Sequence, residues 1–298
     1  LAEQMPELRR FGAKLKGVTF PKPIDSSDIN ISDWKQIAQL IEKNYADFDG
    51  FVVLHGTDTM AYSASALSFM LEGLQKPVIF TGSQLPIGVL RTDGKENLIT
   101  AIELAATSGQ NRTAFTEVGV YFGSSLYRGN RTHKYSTENF NAINSPNFPA
   151  LAEAGIHIVF RYDLFWPQAE ESLHVRDQFN DRVSVLKLFP GMRPEMVQAI
   201  TRNPELKGLI LETFGSGNAP RSEWFLKEMK YLQDSGVVVI NVSQCSTGFI
   251  DQGKYETSAA FDSLGIVAGS DLTFEAALVK LMWLLGQGIE VSEVRRKM

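Results

Sequence analysis

Cysteine is nearly absent: Cys245 is the only one in 298 residues. A single thiol closes no disulfide within the chain, and such sequences favour a reducing compartment. No apolar run approaches the roughly 20 residues that a membrane-spanning helix needs. An excess of basic charge is missing too, with 29 Lys and Arg against 34 Asp and Glu and a formal charge of −5. Without a basic run, nucleic acid and anionic membranes are poor partners. His55, His133, His157 and His174 show no ligand spacing, so no metal site is expected. A Gly-x-Ser-x-Gly elbow, a phosphate-binding Walker loop and a His-Glu-x-x-His pair are all absent, which removes three common catalytic designs.

What remains is a chain 44% hydrophobic, long enough for two domains. Short β-branched runs alternate with helical patterns. The runs at 51–55, 76–82 and 118–123 are interleaved with helical patterns at 60–74 and 94–106. The rhythm resumes at 183–189, 208–215 and 236–244. Alternation of this kind predicts α/β architecture with mostly parallel sheets flanked by helices. Upstream, Trp34, Ile37, Ala38 and Ile41 form one helical stripe behind Ser32, the expected N-cap. The polar stretch between the halves lacks a clean period. The expected division is therefore a larger N-terminal α/β domain over 1–160, a linker over 161–182 and a smaller C-terminal α/β domain over 183–298.

Chemistry concentrates where strands end. In open α/β sheets, ligands sit outside the carboxyl ends of the strands. There the run "GFVVLHGTDTM" (50–60) places Gly56, Thr57, Asp58 and Thr59 between a strand and a helix. Thr and Asp are ordinary helix caps, but capping uses one polar residue, not three in a row. The surplus fits a small ligand bearing both charges. Asp25, Ser26, Ser27 and Asp28 crowd a second turn, read either as a capping turn or as a carboxylate-binding site. Arg128, Arg131, His133 and Lys134 populate a third stretch (124–140). It is a solvated basic loop, or the source of one ammonium, Lys134, that returns to a hydroxyl and activates it. Gly215-x-Gly217 in "FGSGNAP" has Pro220 where a dinucleotide fingerprint wants glycine. It reads as a tight turn with Pro220 near the first helical position. Cys245 reads as an inert core thiol.

These stretches resemble the bacterial type I, cytoplasmic L-asparaginases. The likeness runs through "MPELRRF", "IDSSDIN", "GFVVLHGTDTM", "TGSQLPIGVLRTDG", "LYRGNRTHK", "EAGIHI", "GNAP" and "VSQCSTG". The resemblance implies hydrolysis of L-asparagine to aspartate and ammonia without metal or organic cofactor, with minor glutaminase activity as a further expectation. It implies a cytoplasmic homodimer or homotetramer whose partner molecule is the small substrate. By the same likeness Thr57, Asp58 and Lys134 form a hydrogen-bonded relay. Asp25, Ser26 and Ser27 hold the substrate's α-carboxylate, and Asp58 meets its α-ammonium. Thr81-Gly82-Ser83 lines the amide pocket. The family's first signature, Thr-Gly-Gly-Thr-Ile, carries the threonine nucleophile and occurs nowhere in the chain. The start at Leu1 reads as the middle of something, so such a segment is expected ahead of it, and the chain as written is expected not to turn over substrate. The alternatives are a nucleotide-binding α/β module centred on "FGSGNAP" and a catalytically inactive amino-acid sensor.

Overall fold

The computed structural model describes residues 8, 12–108, 115–252 and 256–298. The chain divides into two compact units, Leu1–Asp177 and Gln178–Met298. The "MPELRRF" stretch falls almost wholly outside the described residues.

In the first unit, strands β1 (Phe51–Leu54), β2 (Leu71–Glu72), β3 (Val78–Thr81), β4 (Val118–Phe122), β5 (Ser125–Arg128), β6 (His133–Lys134), β7 (Ile143–Asn144), β8 (Ala152–Ala154), β9 (Ile158–Phe160) and β10 (His174–Val175) accompany helices α1 (Ile31–Asn44), α2 (Met60–Met70) and α3 (Gly94–Ser108). The main sheet runs β1-β3-β4-β5-β8-β9. Parallel pairings join β1, β3 and β4, and antiparallel pairings carry the sheet on through β5, β8 and β9. Crossover connections through α2 and α3 give the parallel half, as alternation in the sequence requires.

Helix α2 is buried nearly all round: Met60, Ala61, Ala64, Ala66, Leu67 and Met70 are all at most 2% exposed. A helix without a polar face belongs inside a domain. Its buried Ser65 returns its hydroxyl to the Ala61 carbonyl, which satisfies that polar atom within the helix. The opposite face of the sheet packs Ile79, Tyr121 and Leu126 against Ala101, Leu104 and Ala105 of α3.

Helix α1 buries the expected stripe of Trp34, Ile37, Ala38 and Ile41. Its N-cap is Asn30 rather than Ser32. Asn30 accepts from the Ser32 amide while Asp33 reaches back to the Asn30 amide, a reciprocal capping box that starts the helix at Ile31. Residues 161–176, expected as linker, are fastened to the first unit. Arg128 donates to the Leu164 carbonyl at 2.7 Å, the Trp166 amide donates to Glu117 at 2.8 Å, and β10 pairs antiparallel with β2.

The second unit is a four-stranded parallel sheet in sequence order: β11 (Val183–Lys187), β12 (Gly208–Thr213), β13 (Val238–Ser243) and β14 (Val267–Ala268). Helices α4 (Pro194–Thr201), α5 (Glu223–Asp234) and α6 (Glu256–Ser263) precede α7 (Phe274–Gly286) and α8 (Val291–Lys297). Strand alternation divides the core in two. Leu209, Leu211 and Val239 join Val197, Phe225 and Phe261 in one cluster, while Ile210, Val238 and Ile240 join Ala277, Leu281 and Val294 in another. Both faces of the sheet are covered, as a parallel sheet demands.

Candidate active site

Because β1 and β3 are parallel with Leu54 opposite Thr81, their carboxyl ends open side by side. The His55 amide continues the ladder to the Thr81 carbonyl at 2.9 Å. A Cβ on Gly82 would meet the His55 carbonyl oxygen at 2.2 Å, so only glycine lets the two loops approach this closely. The loops 55–59 and 82–85 thus become neighbours, and their polar side chains face one another.

The structure brings Thr57, Asp58 and Lys134 together. Lys134 comes from the short hairpin of β6 and β7. Its Nζ donates to Thr57 Oγ1 at 2.9 Å and forms a short ion pair with Asp58 Oδ1. Thr57 is buried at 8% exposure, whereas the Asp58 side chain is 62% exposed, so the cluster has a dry inner end and an open outer one. An ammonium held against a hydroxyl stabilises the developing oxyanion when that hydroxyl loses its proton. The basic-loop reading of 124–140 does not survive. Lys134 is spent on the site, and Arg128 is buried in an ion pair with Glu117 at 2.5 Å, sandwiched between the rings of Phe148 and Trp166.

Capping also fails to explain "HGTDT". Helix α2 begins at Met60, and Thr59 occupies the N-cap position without making a side-chain cap bond. Its hydroxyl instead donates to the Ser26 carbonyl at 2.6 Å. This bond fastens the 25–28 turn to the loop. Gly56 completes the attachment, because a Cβ there would lie 2.5 Å from Ser26 Oγ and 2.8 Å from Ser26 Cβ. Ser26 is buried and abuts the site. Asp25 and Ser27 bond each other: the Asp25 carboxylate accepts from the Ser27 amide at 2.9 Å and the Ser27 hydroxyl at 2.8 Å. The amide first, and then the hydroxyl, hold the Asp25 carboxyl below the usual carboxylate range.

Two participants escaped the sequence reading. Gln84 accepts a hydrogen bond from Thr57 Oγ1 at 3.0 Å, a contact set by strand register that no local motif announces. His55 sits in a chain of bonds in which Trp34 Nε1 donates to Ser63 Oγ at 2.9 Å and Ser63 meets His55 Nε2 at 2.8 Å. His55 Nδ1 then reaches the Gly56 carbonyl at 2.7 Å, which makes it the donating nitrogen. Burial pushes the His55 imidazole below its ordinary pKa and outweighs the opposing pull of the Gly56 carbonyl. The neutral ring therefore props the peptide bond that leads into Thr57.

Elsewhere, Cys245 is exposed rather than a core thiol, because β13 ends at Ser243 and the chain leaves the sheet before reaching it. "FGSGNAP" closes on itself through a Phe214–Asn218 bridge, with Gly215 and Gly217 at φ +53° and +113°. Helix α5 starts only at Glu223 behind Ser222, so Pro220 precedes the helix rather than opening it. A phosphate-binding glycine turn must hand directly to a helix N-terminus, and this one does not. Among the described residues, no group of His, Cys, Asp and Glu is placed to hold a metal ion. No described helix is long and apolar enough to cross a membrane.

The fold and site define a two-unit α/β protein with a lysine–threonine–aspartate cluster at the carboxyl ends of parallel strands. Comparison with known proteins agrees. A family model described as "Asparaginase, N-terminal" matches residues 1–165, and one described as "Glutaminase/Asparaginase C-terminal domain" matches residues 182–298. The chain belongs to the asparaginase family. It is 46% identical over 275 residues to "L-asparaginase 1" of Escherichia coli (strain K12), covering 92% of this chain and 80% of that protein. It is 43% identical over 274 residues to the "60 kDa lysophospholipase" of Mus musculus, covering 91% of this chain and 47% of that protein. Among solved structures, L-asparaginase I from Vibrio cholerae superposes with a TM-score of 0.90 at 40% identity, covering 98% of this chain and 87% of that one.

Proposed function

We propose that the protein hydrolyses the side-chain amide of L-asparagine, giving L-aspartate and ammonia. The observation that carries the reading is the Lys134 ammonium, bound at once to Thr57 Oγ1 and to Asp58. Family membership and the names of the relatives support it. In this reading a threonine hydroxyl, held by a hydrogen bond to Thr57 Oγ1, attacks the amide carbon, while Lys134 fixes Thr57 in place to accept that bond. The C–N bond then breaks, and the proton released by the attacking group ends on the departing ammonia. Water completes hydrolysis of the ester. Asp58 has one oxygen on Lys134, and its exposed side chain takes the substrate's α-ammonium. The turn of Asp25, Ser26 and Ser27 takes the α-carboxylate.

The family's Thr-Gly-Gly-Thr signature does not occur in these 298 residues. Thr57, Asp58 and Lys134 supply the activating half of the chemistry. Glutamine is one methylene longer, a difference that a pocket resolves by only about 1–3 kcal/mol, so slow glutamine turnover accompanies the main activity. The protein works in the cytoplasm as a homodimer or homotetramer, without metal or organic cofactor. The test is to incubate full-length protein with asparagine and measure both products. Equimolar aspartate and ammonia support the reading; neither product forming, with asparagine bound, supports a sensor and overturns it.

A further inference from the structure

The hydrogen-bond valence of Thr57 points to a residue that the relay alone does not require. A threonine hydroxyl has one proton and two lone pairs, and an ammonium can only donate. Lys134 therefore occupies one lone pair of Thr57 Oγ1, and the hydroxyl proton must go to an acceptor. That acceptor is Gln84 Oε1 at 3.0 Å. We propose that Gln84 is the positioning residue that fixes the Thr57 hydroxyl rotor, turning its proton away from the reaction and presenting its second lone pair to the attacking group.

The orientation of the Gln84 amide decides the matter, and its surroundings fix it. Gln84 Nε2 donates to the Thr137 carbonyl at 3.1 Å. A carbonyl only accepts, so the amide cannot flip without placing oxygen against oxygen. Were it flipped, its NH2 would fill the lone pair that catalysis needs. The backbone is held as firmly. The Gln84 amide donates to both Asp93 oxygens, at 3.1 and 3.0 Å, and the Leu85 amide to Asp93 Oδ1 at 3.2 Å. Asn97 then ties Asp93 Oδ2 to the Gly82 carbonyl, at 3.1 and 2.9 Å. The acceptor is thus set in place before substrate arrives, as preorganised catalysis requires.

This inference rests on the amide-hydrolysis reading, and its test separates the two. Gln84→Leu removes the acceptor at similar volume. It should lower kcat by about 10–100-fold while KM stays within about threefold, since a hydroxyl misaligned only for holding the attacking group leaves substrate binding alone. Gln84→Glu keeps an oxygen that accepts from the Thr57 hydroxyl whether its carboxyl is neutral or ionised, so its kcat should exceed that of Gln84→Leu by about tenfold or more. Neutron diffraction from wild-type crystals reads the Thr57 deuteron directly, and it should lie on the line to Gln84 Oε1. A Gln84→Leu enzyme that loses thermal stability but keeps kcat within about threefold contradicts the proposal. A Gln84→Glu enzyme no faster than Gln84→Leu, or a deuteron aimed elsewhere, also contradicts it. Wild type that never releases ammonia refutes the amide-hydrolysis reading, while the neutron map still decides the rotor.

Discussion

Gly56→Ala tests whether the 25–28 turn is part of the substrate site. The added Cβ would stand 2.5 Å from Ser26 Oγ and 2.8 Å from Ser26 Cβ, whereas ordinary contact begins at about 3.4 Å. Ser26 must therefore retreat by roughly 0.6–0.9 Å. It cannot simply swing its hydroxyl aside, because its Cβ is also too close and its carbonyl is anchored by Thr59 Oγ1 at 2.6 Å. Relief comes from moving the whole turn. Overpacking of this kind costs about 1–3 kcal/mol, which urea unfolding will read as a lowered midpoint at unchanged m-value. A shift near 1 Å in a group that positions a reactant costs on the order of 100-fold in efficiency. We expect most of that loss in KM, because no contact of Lys134 with Thr57 or Asp58 involves the turn. Steady-state kinetics with asparagine measure the division. A variant destabilised as expected but with KM unchanged would remove the 25–28 turn from the substrate site.

Further predictions concern the site and its supports. Thr57→Val and Asp58→Asn in the full-length protein should each lower kcat by about 100-fold or more with far-UV circular dichroism unchanged, since each breaks the relay without opening the core. Arg128→Met leaves Glu117 buried without its partner and should destabilise the fold by about 3–5 kcal/mol, measured by urea unfolding. His55 has a depressed pKa in the folded state, so below about pH 6.5 the unfolded chain binds a proton that the folded chain refuses. Stability conferred by neutral His55 is fully present above that pH and declines as pH falls toward the folded-state pKa. Urea midpoints measured between pH 8 and 5 (~0.5-unit steps) should decline less steeply in His55→Gln than in wild type.

The sequence carried the architecture well where periodicity and burial coincide. The runs at 51–55, 76–82 and 118–123 became β1, β3 and β4, because β-branched residues between helical patterns have few alternatives. Local detail was harder. Ser32 looks like the cap of α1, and only the reciprocal bond with Asp33 gives that place to Asn30. Lys134 was recognised by family likeness, yet its chemistry depends on a hairpin bringing it beside residues 76 or 77 positions away. Gln84 and His55 were legible to neither approach. Gln84 reaches Thr57 only because Leu54 and Thr81 are in register, and register is a tertiary fact. The sequence shows of His55 only that it lacks metal-ligand spacing, whereas in the fold it carries a hydrogen-bond chain from Trp34 to the Gly56 carbonyl.

The central claim is that the Lys134 ammonium, through Thr57, activates the attack on asparagine. Its most direct test is ammonia release from asparagine by full-length wild type and Lys134→Met, side by side. The account predicts steady release from wild type and a loss of about 100-fold or more in kcat for the variant, with asparagine still bound. Release by Lys134→Met within about threefold of wild type would contradict it.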